Sequence, residues 1–236
     1  MEVECYCLVA DVLGFSSLVR NLDEGNRAER VGSWLTLVAS SLRDHGLTRS
    51  SIISDTIFVG SDFSEEGLEQ LVSFSRAILE AGMNSSLPVR GAISFGPVAW
   101  EETLTYGPPI VTAYEFANQQ NWSRISGTAE RLPHADRLLD VGGGLVTYAT
   151  PLKSGLVAYH PVVRWSIPRF EELISLMSTH GLARNGDMME WAFANKVQNT
   201  FMFRAYLDGL PTQWDASRFY GGILPLQSVA SVRGFL

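Results

Sequence analysis

Two apolar runs of this chain each carry an aspartate where the run breaks. Residues 5–11 read Cys-Tyr-Cys-Leu-Val-Ala-Asp, and residues 52–58 read Ile-Ile-Ser-Asp-Thr-Ile-Phe. The first predicts a buried strand ending at Asp11. The second predicts, over 50–60, two short strands joined by a tight turn at Ser54-Asp55. A carboxylate at the end of a buried strand is costly unless something compensates it, so the fold must bring a partner to each acid. Taken singly, each has a plain structural reading: Asp11 accepts from the amides of a following helix, and Asp55 is a turn acid. Taken together, two facing carboxylates at adjacent strand ends form a cage for one or two Mg²⁺ or Mn²⁺ ions, hard cations that take oxygen ligands and share them with phosphates. Gly14-Phe15-Ser16 favours the joint reading, because a glycine and a small polar residue at a strand-to-helix junction let backbone N–H groups approach a phosphate chain.

The remaining pattern predicts the frame around these acids. A helix follows the first strand over about 17–44, capped by Ser16 or Ser17 and interrupted near Asp23-Glu24-Gly25-Asn26. A second helix is expected over 64–83. Strand follows over 88–100 with Gly96-Pro97 as a break, and then a helix from Gly107-Pro108-Pro109 to about 120. A short strand over 122–126, a helix near 128–138, the turn at Gly142-Gly143-Gly144, and helices over 168–183 and 187–207 complete the reading. No Gly-Lys-Ser/Thr follows the triple glycine, so it reads as a flexible turn and not a phosphate loop. This order implies an α+β domain with a mainly antiparallel sheet and helices on one face.

Composition narrows the function. The net charge of −7 argues against binding nucleic acid polymers or anionic membranes. Only two lysines occur, Lys153 and Lys196, so positive charge for a small anion must come from arginine, metal or helix N-termini. Cys5 and Cys7 read as reduced, packed thiols. Met1-Glu2-Val3-Glu4 is acidic where a secretion signal is basic, and no apolar run reaches transmembrane length, so the expectation is a cytoplasmic protein. His45, His134, His160 and His180 lack metal-ligand spacing.

At these residues the chain resembles the class III adenylate and guanylate cyclase superfamily. Four segments match in order: Asp11-Val12-Leu13-Gly14-Phe15-Ser16, Ser54-Asp55-Thr56, Arg90-Gly91-Ala92-Ile93-Ser94-Phe95-Gly96-Pro97-Val98, and Gly107-Pro108-Pro109-Ile110-Val111-Thr112-Ala113-Tyr114-Glu115. The resemblance covers about residues 5–127. It implies a ferredoxin-type core with an antiparallel sheet over residues 1–160, and a helical C-terminal extension over 161–236. It also implies two Mn²⁺ or Mg²⁺ ions held by Asp11, Asp55 and the Val12 carbonyl, with the amides of Leu13, Gly14, Phe15 and Ser16 on the β- and γ-phosphates and Phe15 against the ribose.

The departures concern base and transition state. Ser51 and Leu104 stand where purine cyclases carry the two residues that read the base. Val111 stands at the ribose-orienting asparagine and Glu115 at the transition-state arginine. In these features the chain looks like the cyclases of bacterial pyrimidine-cyclase antiphage systems, which make cyclic UMP or cyclic CMP to activate a separate effector. That resemblance implies a homodimer converting a pyrimidine nucleoside triphosphate, UTP favoured, to its 3′,5′-cyclic monophosphate. Arg90 is the first candidate to replace the missing arginine or to read a uracil carbonyl, with Arg124, Arg131 and Lys196 behind it. The Ser51 hydroxyl also suits uracil. The alternatives are a purine cyclase with an atypical pocket and a non-catalytic nucleotide-binding dimer. A palm-type polymerase is disfavoured because no Gly-Gly-Asp/Glu-Glu-Phe turn occurs.

Overall fold

The structure is a computed structural model, and it describes residues 2–21, 23–85, 87–101, 105–129, 131–139, 142–166 and 191–209. The elements in order are β1 (Glu2–Val12), α1 (Phe15–Asn21), α2 (Glu24–Asp44), β2 (Arg49–Ile53), β3 (Thr56–Asp62), α3 (Glu65–Asn84), β4 (Val89–Trp100), β5 (Thr105–Tyr106), α4 (Pro108–Gln119), β6 (Ile125–Gly127), β7 (Leu145–Pro151), β8 (Val157–Val163) and α5 (Trp191–Gly209). One sheet has the order β2-β3-β1-β4-β6-β8-β7, with β5 added to β4. Its pairings are antiparallel except β4 with β6. The α+β class with a largely antiparallel sheet is therefore observed, together with the helix α5 near the C-terminal end.

β1 organises the domain because both of its faces are apolar. Tyr6, Leu8 and Ala10 join the large core beneath α2 and α3, with Trp34, Val38, Leu68, Leu71 and Ile78. Cys7 and Val9, on the other face, pack with Ala92 against Ala113 and Ala117 of α4. The expectation of helices on one face is thus corrected. A strand buried on both sides reads as an unbroken apolar run, and residues 5–10 are one. The small side chains of α4 let that helix lie close to the sheet. A third cluster seats Phe203 of α5 among Trp122, Val146, Val162 and Trp165.

Other expectations shift locally. Asp23 caps α2 by accepting from the Asn26 N–H at 2.9 Å, which is why the long helix divides there. α1 already begins at Phe15, ahead of the serines expected to cap it. β4 runs unbroken through Gly96-Pro97, because β1 carries the register from Val89 to Ala99 and Gly96 absorbs the irregularity at φ +139°. Among the described residues of 128–138 no α-helix forms, and a 3₁₀ turn lies at Arg137–Leu139 instead. Pro133 lacks an N–H to donate and disfavours helix before it, and His134 takes φ +57°. The short strand lies at 125–127 and not 122–126. The β7–β8 hairpin was not anticipated, and it carries the sheet to Val163. The helix expected over 168–183, together with His180 and Leu104, lies outside the described residues.

Candidate active site

Asp11 sits one residue before the end of β1, and the sheet register sets Arg90 of β4 directly opposite. The Arg90 Nη2 donates to Asp11 Oδ2 at 2.8 Å and to Asn118 Oδ1 of α4 at 2.9 Å. The Arg90 side chain keeps 8% exposure and that of Asp11 23%, so the pair lies mostly out of water. The other Asp11 oxygen, Oδ1, is buried with no hydrogen-bond partner. A buried carboxylate oxygen demands a donor or a cation, and the described residues supply neither to this one.

Asp55 reaches the same place by a different route. The β2–β3 hairpin turns over Ser54 and Asp55, with Ile53 paired to Thr56. Ser54 adopts φ +60°, a conformation that strains any residue other than glycine. Because β3 pairs with β1 up to Ala10, the turn lies beside the end of β1. Burial pushes the Asp55 carboxyl up from its ordinary value, and the charge of Asp11 pushes the same way. The Asp55 and Val12 backbone N–H groups and the Ser54 hydroxyl act in the opposite direction. The two acids therefore feel each other's charge.

Between them opens a cleft of about 430 Å³, lined by Asp11, Val12, Leu13, Gly14, Phe15, Ser16, Val19, Arg20, Ser54, Asp55 and Arg90. The volume falls within the range of small-molecule sites. Gly14 turns the chain from β1 into α1 at φ +79°, a conformation that favours glycine. The Leu13 N–H is already donated to the Pro88 carbonyl at 2.8 Å, so the amides left to meet a ligand at this junction are those of Gly14, Phe15 and Ser16. Among the described residues no cluster of three or more His, Cys, Asp or Glu forms a self-sufficient metal site. The donor set is instead two carboxylates, one oxygen of which lacks a partner. It suits a hard divalent ion whose remaining ligands come from a phosphate.

Of the residues singled out from sequence, Asp11, Val12, Leu13, Gly14, Phe15, Ser16, Asp55 and Arg90 converge on this cleft. Ser51 does not line it: it sits half-buried on β2, paired with Phe58. Arg124 is fully buried elsewhere. Arg131 is exposed and paired with Asp136 at 2.8 Å. Val111 and Glu115 lie on the exposed face of α4, away from the cleft lining. Three contributors had no sequence signal. Asn118 meets Arg90 from 28 positions away. Arg20 reaches the rim from α1. Lys153 sits in the turn of the unanticipated β7–β8 hairpin, where its N–H donates to the Gln119 carbonyl at 2.8 Å. Burial pushes the Lys153 ammonium down, and the positive charges of Arg90 and Lys196 add to this, while Asp11 opposes it. Lys153 therefore lies within electrostatic reach of Arg90 and Asp11, and Lys196 within reach of Lys153.

No protein-family model matches the sequence, and no curated protein matches it. Solved structures do match the fold. The adenylyl cyclase CyaB from P. aeruginosa superposes with a TM-score of 0.54 at 14% identity, covering 70% of this chain and 95% of that one. The dimeric guanylyl cyclase domain of the RhoGC fusion protein from Blastocladiella emersonii gives 0.53 at 13%, covering 68% and 94%. The guanylate cyclase domain of RhGC from Catenaria anguillulae, solved in complex with GTP, gives 0.51 at 13%, covering 68% and 96%. At these identities the likeness is one of fold, and the chain has the class III nucleotidyl cyclase fold.

Proposed function

We propose that this protein is a divalent-metal-dependent nucleotidyl cyclase that converts a pyrimidine nucleoside triphosphate, UTP favoured, to the 3′,5′-cyclic monophosphate and pyrophosphate. One observation carries the reading: on a cyclase fold, Asp11 and Asp55 meet at one cleft, and Asp11 Oδ1 lacks the partner that a buried carboxylate requires. In the reaction the ribose 3′-oxygen attacks the α-phosphorus, the bond to the β-phosphate oxygen breaks, pyrophosphate leaves and the hydroxyl proton passes to solvent.

The chain's own groups position rather than react. Asp11 and Asp55, with the Val12 carbonyl, hold Mg²⁺ or Mn²⁺. Such ions supply charge neutralisation for the triphosphate and a more acidic 3′-hydroxyl. The Gly14, Phe15 and Ser16 amides receive the β- and γ-phosphates, and Phe15 packs on the ribose. Arg90 orients Asp11 and adds positive charge beside the α-phosphate, the task left open by Glu115. Arg20 adds further positive charge at the rim, and the charge of Lys153 reaches Arg90 and Asp11 from outside the cleft lining. Ser51, outside this cleft, would contact a base only from the surface that faces a second subunit. The exposed Val111 and Tyr114 of α4, and Ile53 beside the Asp55 turn, fit such a homodimer face. The division read from sequence, a catalytic unit over 1–160 and an extension over 161–236, is kept with its boundary moved past β8, which runs to Val163; of the extension, the described helix α5 packs on the sheet through Phe203. The cyclic nucleotide serves as a cytoplasmic second messenger for a separate effector in antiphage defence. The purine alternative draws on the adenylyl and guanylyl cyclases that share the fold.

The test is incubation with Mn²⁺ and each of the four nucleoside triphosphates, with products identified by mass spectrometry. Cyclic UMP and pyrophosphate are expected, and Asp11→Asn and Asp55→Ala abolish them. Cyclic AMP or cyclic GMP alone selects the purine reading. No cyclic product from any substrate, or a product that persists in Asp55→Ala, overturns the assignment.

A further inference from the structure

We propose that α5 is a positioning element for the Asp11 site, and that it acts through Asn121, Ser123 and Arg124 on the backbone that holds Arg90. The proposal deepens the cyclase reading and rests on it only for its catalytic consequence.

The path consists of hydrogen bonds. Arg90 is held at its side chain by Asn118, and its neighbours in β4 are held by the segment just beyond. Gln120 Nε2 donates to the Gly91 carbonyl at 2.8 Å, Ser123 Oγ to the Val89 carbonyl at 2.8 Å, and the Gly91 N–H to the Arg124 carbonyl at 2.8 Å. Residues 118–124 thus frame Arg90 from the side opposite β1. α5 in turn grips that segment. Asn199 Nδ2 donates to the Asn121 carbonyl at 2.8 Å, the Ser123 N–H to Thr200 Oγ1 at 3.3 Å, and Arg124 Nη2 to the Thr200 carbonyl at 3.1 Å.

Arg124 makes this junction all-or-none. Its side chain is completely buried, and no carboxylate among the described residues pairs with it. A buried charge without a counter-ion costs several kcal/mol unless other groups compensate it. Here the compensation comes from the Ser123 and Thr200 carbonyls and from two aromatic faces, with ring centroids 4.0 Å away in Trp165 and 5.0 Å away in Phe203. Thr200 and Phe203 both belong to α5. With α5 displaced, Arg124 loses half of what makes its burial tolerable, and the segment whose carbonyl holds Gly91 must move with it. The seat of α5 and the geometry of Arg90 are therefore one cooperative unit.

The test needs no nucleotide, so it stands or falls separately from the cyclase assignment. Hydrogen exchange of the Gly91 amide is measured together with the Arg90 Nε–H signal in protein labelled with [¹⁵N]arginine. In Arg124→Met the Gly91 amide exchanges about tenfold faster and the Arg90 signal broadens. Thr200→Val, which keeps the helix and the side-chain shape, gives a several-fold acceleration and carries the test if Arg124→Met does not fold. Met202→Ala, at an exposed position on the same helix, leaves both signals unchanged. Faster exchange in Thr200→Val confined to α5, with Gly91 and Arg90 unmoved, overturns the proposal. So does an equal response to Met202→Ala, because that would be general loosening.

Discussion

Replacing Arg90 by methionine separates the role of the Asp11–Arg90 pair from simple packing, since methionine keeps much of the buried volume. In the wild type one Nη2 serves both Asp11 and Asn118, at 2.8 and 2.9 Å. Breaking a fully buried ion pair from one side costs about 3–5 kcal/mol, whereas a hydrogen bond to a charged group contributes about 1.5–3 kcal/mol. With 23% of its side chain still exposed, Asp11 recovers some hydration, so the ionic part comes to about 2–3 kcal/mol. Asn118 Oδ1, left without its donor, adds about 1 kcal/mol. The total of roughly 3–4 kcal/mol corresponds to a fall in Tm of about 10 °C for a domain of this size. Urea denaturation of Arg90→Met, Asp11→Asn and the double variant closes a thermodynamic cycle with an expected coupling of about 2 kcal/mol. A loss below about 0.5 kcal/mol in the single variant, or a coupling near zero, refutes the view that Arg90 holds Asp11 in place.

Other perturbations read different parts of the same frame. Asp55 has its carboxyl raised in the folded protein, by burial first and then by Asp11. A raised folded value favours the folded state below the ordinary aspartate range near about pH 4, and this advantage is lost as pH rises through the folded value. Asp55→Asn therefore gains stability relative to wild type between pH 4 and pH 7 in parallel denaturant titrations, and identical pH profiles contradict the burial argument. Adding Mn²⁺ raises the Tm of wild type but not of Asp55→Asn if the acids hold the ion. A Cβ at Gly91 would lie 2.7 Å from both the Ala10 Cβ and the Val9 carbonyl oxygen, so Gly91→Ala costs at least about 1–3 kcal/mol by thermal melting. Burial pushes the Cys7 thiol far up from its ordinary value, and Cys5 is likewise buried and raised. Both therefore react with a thiol reagent only at the rate of unfolding, and fast labelling of the native protein would disprove this.

Where sequence patterning failed, the reasons are physical and local. A helical period across 128–138 was overridden by Pro133 inside it. Gly96-Pro97 carries the composition of a break, yet neighbouring β1 holds β4 extended through it. β8 contains Pro161, which weakens its strand signal, although Pro161 pairs in register with Thr147 of β7. Missing that hairpin meant missing Lys153 as a neighbour of the site. Arg124 stands in the sequence among the candidate cations for the site, yet it lies buried away from it, because burial of a guanidinium depends on carbonyls and rings distant in sequence.

What the sequence determined by itself is the chemistry at strand ends. Asp11 and Asp55 terminate apolar runs, Gly14 allows the turn after β1, and an acidic chain with two lysines points any anion toward arginine or metal. These follow from period-two patterning and from the cost of burying a carboxylate, both of which act within a few residues. The tertiary structure alone decided who meets whom. Register across β1 and β4 gave Asp11 its arginine, α4 gave that arginine its asparagine, the β2–β3 turn brought Asp55 to the same cleft, and α5 closed over Arg124. Such pairings span 28 to 79 positions. They arise from packing of whole elements, and no local pattern encodes them.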